Sequence, residues 1–384
     1  MKTVMTIKDT CEFYNGTGFP MVYQGKTAGK YPFYKVGDIS KNVQLGNCYL
    51  KECDNYIDDE ILNQLRGVLV PANSIAFAKI GEALKLNRRT ITSTPCLVDN
   101  NVIAIHPNEE ILDIEYFYYF MKTVNMADYS SSTTVPSVKK SSLEKIGVPT
   151  PELNEQKRIS NELNTLSFAI QSKKDELSSL DELVKSRFIE MFMQKDYPKE
   201  KLDNLTLGKG EYGAASASIS FDRQRPRYVR ITDINEDGTL NDDYVSSINV
   251  ADDEYYKLGF GDFLFARMGA TVGKTYAFKE GNQIYAGYLI RYKLNLEKII
   301  PDFLFYYTKL DVYKRWVLEN QSGAAQPGIN AKKYGSLLIP VPPIELQNEF
   351  AEFVKLIDKS KFIVQQQIKD LQELLDSKMD EYFR

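Results

Sequence analysis

Two stretches of the chain carry apolar residues at heptad spacing over more than four repeats. The first runs through Ile159, Leu163, Leu166, Ile170, Leu177, Leu180, Val184 and Met191, interrupted at Lys173 and Arg187. The second runs through Phe350, Val354, Ile357, Val364, Ile368, Leu371, Leu375 and Tyr382, interrupted at Lys361 and Lys378. Such seams predict two long helices that pair with each other as a coiled coil. Pro151 and Pro342 are placed in the first helical turn, which tolerates proline, with Glu152 and Glu345 near the positive end of the dipole. At about 40 residues each, the helices would be roughly 60 Å long.

Upstream of each seam the pattern changes to short β-branched and aromatic runs broken by Gly, Asn and Asp, which predicts a mixed α+β globule. The two halves are copies of one another. Ile146–Ile159 (IGVPTPELNEQKRI) lies over Leu337–Phe350 (LLIPVPPIELQNEF) at an offset of 191, with Pro149, Pro151 and Gln156 falling on Pro340, Pro342 and Gln347. Further up, FYKVGDI (33–39) answers YVRITDI (228–234), IAFAKIG (75–81) answers FLFARMG (263–269), and YFYYF (116–120) answers FLFYY (303–307). Each aromatic run is followed by a small-residue loop carrying Pro136 or Pro327.

Two copies suit a pseudo-twofold monomer rather than a solenoid. The expected fold is α+β: two pseudo-twofold-related globules, residues 1–150 and 196–341, joined by two long antiparallel coiled-coil helices, residues 151–195 and 342–384. The rod of this dumbbell acts as a spacer.

Composition narrows the function. The chain has 384 residues, 43% of them hydrophobic, and no apolar run approaching a membrane span, so a cytoplasmic protein without membrane contact is expected. Cys11, Cys48, Cys53 and Cys96 form no CxxC pair and read as free thiols, and the single histidine, His106, reads as an exposed loop residue; no metal or other cofactor is expected. Gly208–Gly213 spells GxGxxG outside a strand–turn–helix context, and Gly269–Thr275 falls one residue short of a phosphate loop, leaving a strand-flanking loop that presents Lys274. There is no Asn-Pro-Pro-aromatic or Asp-Pro-Pro-aromatic tetrapeptide of the kind that clamps an amine for methylation. No active site emerges, and a binding protein is expected.

The net charge of −4 makes any polyanion binding a matter of local patches, and such patches recur at matching places. The first globule offers Lys79, Lys85, Arg88 and Arg89 after its central strand, then Ser132, Thr133, Thr134, Ser137, Lys139 and Lys140. The second offers Arg223, Arg225 and Arg227, then Arg267, Thr271 and Lys274, then Gln326, Asn330, Lys332 and Lys333. Basic and hydroxyl side chains hold phosphates, while Arg, Asn and Gln also read base edges, so double-stranded DNA is the expected ligand.

The repeated Pro-x-Pro-x-x-x-Glu/Leu-Gln entry to a long helix, the loop SGAAQPGIN before the second one, and the twofold repeat resemble the specificity subunits of Type I restriction-modification systems. The first copy carries SSTTVPSVKK in place of the second loop. The resemblance implies two target recognition domains, each reading half of a split DNA site, joined by helices that measure the gap. It also implies two adenine methyltransferase (modification) subunits and ATP-driven restriction/translocase subunits as partners, with no chemistry in the chain itself. Two other classes remain open: a DNA methyltransferase in its own right, and a coiled-coil scaffold that does not bind DNA.

Overall fold

The computed structural model describes residues 3–51, 53–131, 135–248, 254–323 and 327–384. The chain divides into two compact units, one made of Met1–Glu176 with Val364–Arg384 and the other of Leu177–Ile363. The boundaries fall inside the two long helices rather than at their starts, so each unit holds one globule, the start of its own helix and the end of the other.

Both globules are built to one plan. In the first, a four-stranded antiparallel sheet has the order Cys11–Asn15, Val102–Pro107, Ile75–Ala78, Arg89–Ile91. The second has the same sheet in Glu211–Tyr212, Leu289–Lys293, Asp262–Ala266, Thr275–Ala277. Ile75–Ala78 and Asp262–Ala266 are buried at every position, as central strands covered on both faces must be. A smaller sheet ends in a parallel pair in each copy, Phe33–Tyr34 with Leu97–Val98 and Arg227–Val229 with Gln283–Tyr285. A ribbon ties the globule to its helix: Val4–Thr6 on Gly147–Pro149, and Lys199–Lys201 on Leu338–Pro340.

The long helices are Leu153–Phe188, continued by a π-helical turn at Ile189–Met193, and Ile344–Phe383. Pro151 and Pro342 stand before the first turn, not in it, and a buried glutamine in each helix ties the entry segment down. Gln156 Nε2 donates to the Ile111 and Pro151 carbonyls at 2.9 and 2.8 Å, and its Oε1 accepts from Asp113 N at 2.9 Å. Gln347 repeats this on Lys298, Pro342 and Ile300 at 2.9, 2.9 and 3.1 Å. Both side chains are fully buried. Gln156→Ala and Gln347→Ala should each cost about 1–3 kcal/mol by stranding buried backbone groups. Thermal unfolding reads this, and unchanged midpoints for both variants would remove the clamp.

In the second unit the helices run antiparallel, since Asp181 pairs with Lys361 while Arg187 reaches back to Glu349 at 3.4 Å. In the first unit Glu162 takes Tyr382 Oη at 2.7 Å and Lys378 at 3.6 Å. The two lysine breaks in the second seam are therefore ion-pair positions. The helices also do more than pair with each other, because each ends on an aromatic helix. The Phe383 ring lies 5.1 Å from Tyr116 and 6.0 Å from Phe120, on the capped helix Ile114–Thr123. Phe188 and Phe192 lie 5.3 and 5.0 Å from Phe303, on Pro301–Tyr307.

His106 is not on an exposed loop. It sits half-buried on the strand Val102–Pro107, with Nδ1 3.2 Å from both Ser74 Oγ and the Asn73 carbonyl. The GxGxxG string is a packing device: a Cβ on Gly213 would lie 2.3 Å from the Ala286 carbonyl oxygen, and one on Gly210 would meet the Tyr292 ring.

Candidate nucleic-acid interface

The two cationic loops of each globule, distant in sequence, are stitched together by the same backbone bonds in both units. In the second unit Ile329 N donates to the Arg267 carbonyl and Gly269 N to the Pro327 carbonyl, each at 2.9 Å, while Arg267 N donates to the Tyr288 carbonyl at 3.0 Å. In the first, Val138 N donates to the Lys79 carbonyl at 2.9 Å, Gly81 N to Pro136 at 2.8 Å, and Lys79 N to Asn101 at 2.9 Å. Ser131 N to Ser137 O and Ser322 N to Gly328 O, both 3.0 Å, close the two loops alike. Gly81 and Gly269 adopt φ of +81° and +71°, a left-handed turn that glycine enters without strain. Lys79 and Arg267 therefore occupy one station, as do Lys139 and Asn330.

Asn330 caps the short helix Ala331–Gly335 by accepting from Lys333 N at 2.9 Å, which fixes exposed Lys332 and half-buried Lys333 in the first turn. Lys139 holds the equivalent cap position before Lys140–Leu143 and is exposed. Lys140 is exposed too, 3.7 Å from Glu144 and over the Phe13 ring. Ser137 Oγ lies 3.3 Å from Ser131 Oγ inside the loop. Lys85 pairs with Glu82 at 2.8 Å, Arg88 is half-buried, and Arg223 is exposed. Ser132, Thr133, Thr134 and Gln326 lie outside the described residues.

Several expected contact residues are committed elsewhere. Arg89 is only 2% exposed, at the start of the buried edge strand Arg89–Ile91, and its guanidinium donates to the Asn87 and Val124 carbonyls and to Asn87 Oδ1. Burial lowers its pKa to about 10, so it stays charged but has no surface to offer a phosphate. Arg227 pairs with Asp242 at 2.6 Å and bonds the Asn241 carbonyl, bracing a loop of its own unit. Lys274 turns to Glu236 at 2.9 Å and the Ile234 carbonyl. Arg225 pairs with Asp222 at 3.4 Å, and Thr271 Oγ1 donates to Met268 O.

Sequence reasoning missed the neighbours of the shared station. The Arg267 guanidinium lies 4.9 Å from the Tyr212 ring centroid and 5.8 Å from Tyr288, within cation–π range of both. Tyr212 is anchored at its hydroxyl, which accepts from Ala331 N at 3.2 Å. By strand register and the bond from the station's N–H, Asn15 and Asn101 hold the corresponding positions beside Lys79. The signal was Tyr212's place directly before Gly213, whose counterpart Gly16 makes the same close approach, to the Asp99 carbonyl.

A family model described as "Type I restriction modification DNA specificity domain" matches residues 2–182 and again 204–373. The specificity subunit of the Type I restriction enzyme EcoBI of Escherichia coli is 25% identical over 301 residues, which are 68% of this chain and 62% of that protein's length. The MjaVIII specificity subunit of Methanocaldococcus jannaschii is 21% identical, over 90% of each chain. Among solved structures, the Type I S subunit from M. genitalium aligns over 100% of this chain and 96% of its own, with a TM-score of 0.56 at 15% identity. A chain from a structure titled for assembly and conformational transition of the type I R-M system gives 0.61 at 15% identity, over 100% of this chain and 97% of that one. These two are likenesses of fold. The family model accounts for most of the sequence in two copies, and the chain belongs to the Type I restriction-modification DNA specificity family.

Proposed function

We propose that this chain is the sequence-reading subunit of a Type I restriction-modification complex, with each globule reading one half of a split DNA site. The observation that supports the reading is the matched pair of stitched loops, which sets a cationic station and a lysine-bearing helix start in the same backbone frame twice. Phosphates take exposed Lys139 and Lys140 in one unit, and exposed Lys332 with half-buried Lys333 in the other. Base edges take the stations between them.

The chain performs no chemistry on this reading and directs two modification subunits and restriction/translocase subunits to the site. The net charge of −4 accords with partners that share the neutralisation of the duplex. Methyl transfer by the purified chain alone would contradict it. Replacing Lys139 and Lys140 together by Ala should weaken binding to all sequences alike and reduce the slope of log K against log salt by about 1 per lost contact. Titration of the complex on specific and unrelated duplexes at several salt concentrations checks this. A loss confined to one base position would move these lysines from backbone to base contact, and no loss at all would place the loop outside the interface.

A further inference from the structure

Most arginines of the second unit have a carboxylate: Arg187 has Glu190 and Glu349, Arg225 has Asp222, Arg227 has Asp242, Arg230 has Asp233, and Arg291 has Glu211 and Asp262. Arg267 has none within ion-pair distance among the described residues, yet it is held firmly. Its Nε donates to the Gly287 carbonyl at 3.1 Å, and two tyrosine rings flank the guanidinium. Those rings stand at the surface, Tyr212 44% and Tyr288 53% exposed. The terminal nitrogens have no partner among the described residues. The result is a planar two-donor fork, fixed before any ligand arrives and not neutralised by any described carboxylate.

We infer that Arg267, braced by Tyr212 and Tyr288, reads a guanine in the half-site of the second unit; this rests on the DNA-reading role proposed above. Guanine presents O6 and N7 side by side in the major groove, the acceptor pair that a guanidinium fork meets with two parallel hydrogen bonds. A phosphate has the acceptors too but needs no fixed plane, and exposed Lys332 supplies such a charge nearby. The first unit lacks this device. Lys79 stands at the station with Asn15 and Asn101 where the tyrosines would be, and an ammonium is a point charge with no plane to orient. The two half-sites are therefore read by different chemistry at equivalent stations.

The test is selection of randomised duplex DNA by the full chain in complex with its modification partners, followed by sequencing. The wild-type complex should enrich a fixed guanine in one half-site. Arg267→Ala and Arg267→Lys should each relax that position by roughly 5- to 150-fold, leaving the other positions and the other half-site intact. Tyr288→Leu should relax it less. Emission from Trp316, the only tryptophan and a member of this unit, checks that each variant is folded. Equal weakening on all sequences would make Arg267 a phosphate contact, and relaxation at a base other than guanine would also overturn the inference; both leave the DNA-reading role standing. An unchanged preference would remove Arg267 from the interface. Failure of the wild-type complex to enrich any sequence would overturn the role itself, and the inference with it.

Discussion

Phe188→Ala should destabilise the second unit by about 3–5 kcal/mol, the cost of emptying a large aromatic site in a close-packed core. Phe188 is fully buried, with ring centroids of Phe192, Phe303 and Phe350 at 5.0, 5.3 and 5.2 Å. These rings come from the end of one long helix, the start of the other and the aromatic helix of the globule. The surroundings cannot collapse into the gap without moving three elements at once. Denaturant unfolding followed by Trp316 fluorescence measures the effect in the affected unit. A loss below 1 kcal/mol would mean that this ring junction does not bind helix to globule.

Arg291→Met should cost about 3–5 kcal/mol at neutral pH, because it leaves a buried carboxylate without its cation. Arg291 Nη1 lies 3.6 Å from Asp262, whose side chain is 1% exposed, and its Nε bonds Glu211 at 3.1 Å. Asp262 Oδ2 accepts from Gly259 N at 2.9 Å, while Oδ1 is buried without a partner. Burial holds the Asp262 carboxyl above the usual aspartate range even with the arginine present. A carboxyl whose folded pKa is raised favours folding while protonated and opposes it once pH climbs through that value. Removing the cation raises it further. The difference between variant and wild type should therefore be widest near neutrality and shrink on acidification, closing once pH falls below the folded value of the wild type, where the carboxyl is protonated in both proteins. Unfolding midpoints for both proteins across that range decide it, and a pH-independent difference would assign the loss to packing.

The repeat was legible because glutamine and proline at the helix entries and the strand–glycine–loop order keep their spacing, and Gln156 and Gln347 prove to make the same three bonds. The correspondence of the cationic loops between the two halves was legible too, as like chemistry at like places. Arg89 was not, because period two assigns alternate residues to opposite faces without saying that both faces are covered. The ion pairs of Arg227 and Lys274 were not legible, because an acid fifteen or nearly forty residues away is invisible to local charge counting. The heptads recorded an apolar stripe but not what covers it, so the landing of Phe383 on Tyr116 and Phe120 escaped notice. Tyr212 and Tyr288 matter only through strand register, which no short motif carries.

The exchange of helix ends has a consequence during synthesis. The first globule is translated early, but the segment that covers its aromatic helix begins at Val364, after the whole of Leu177–Ile363. At ribosomal speeds of 5–20 residues per second that interval lasts roughly 10–40 s. Until it ends, the face of Tyr116 and Phe120 that receives Phe383 stands open on the nascent chain, while the second unit, continuous in sequence, already has every part it needs.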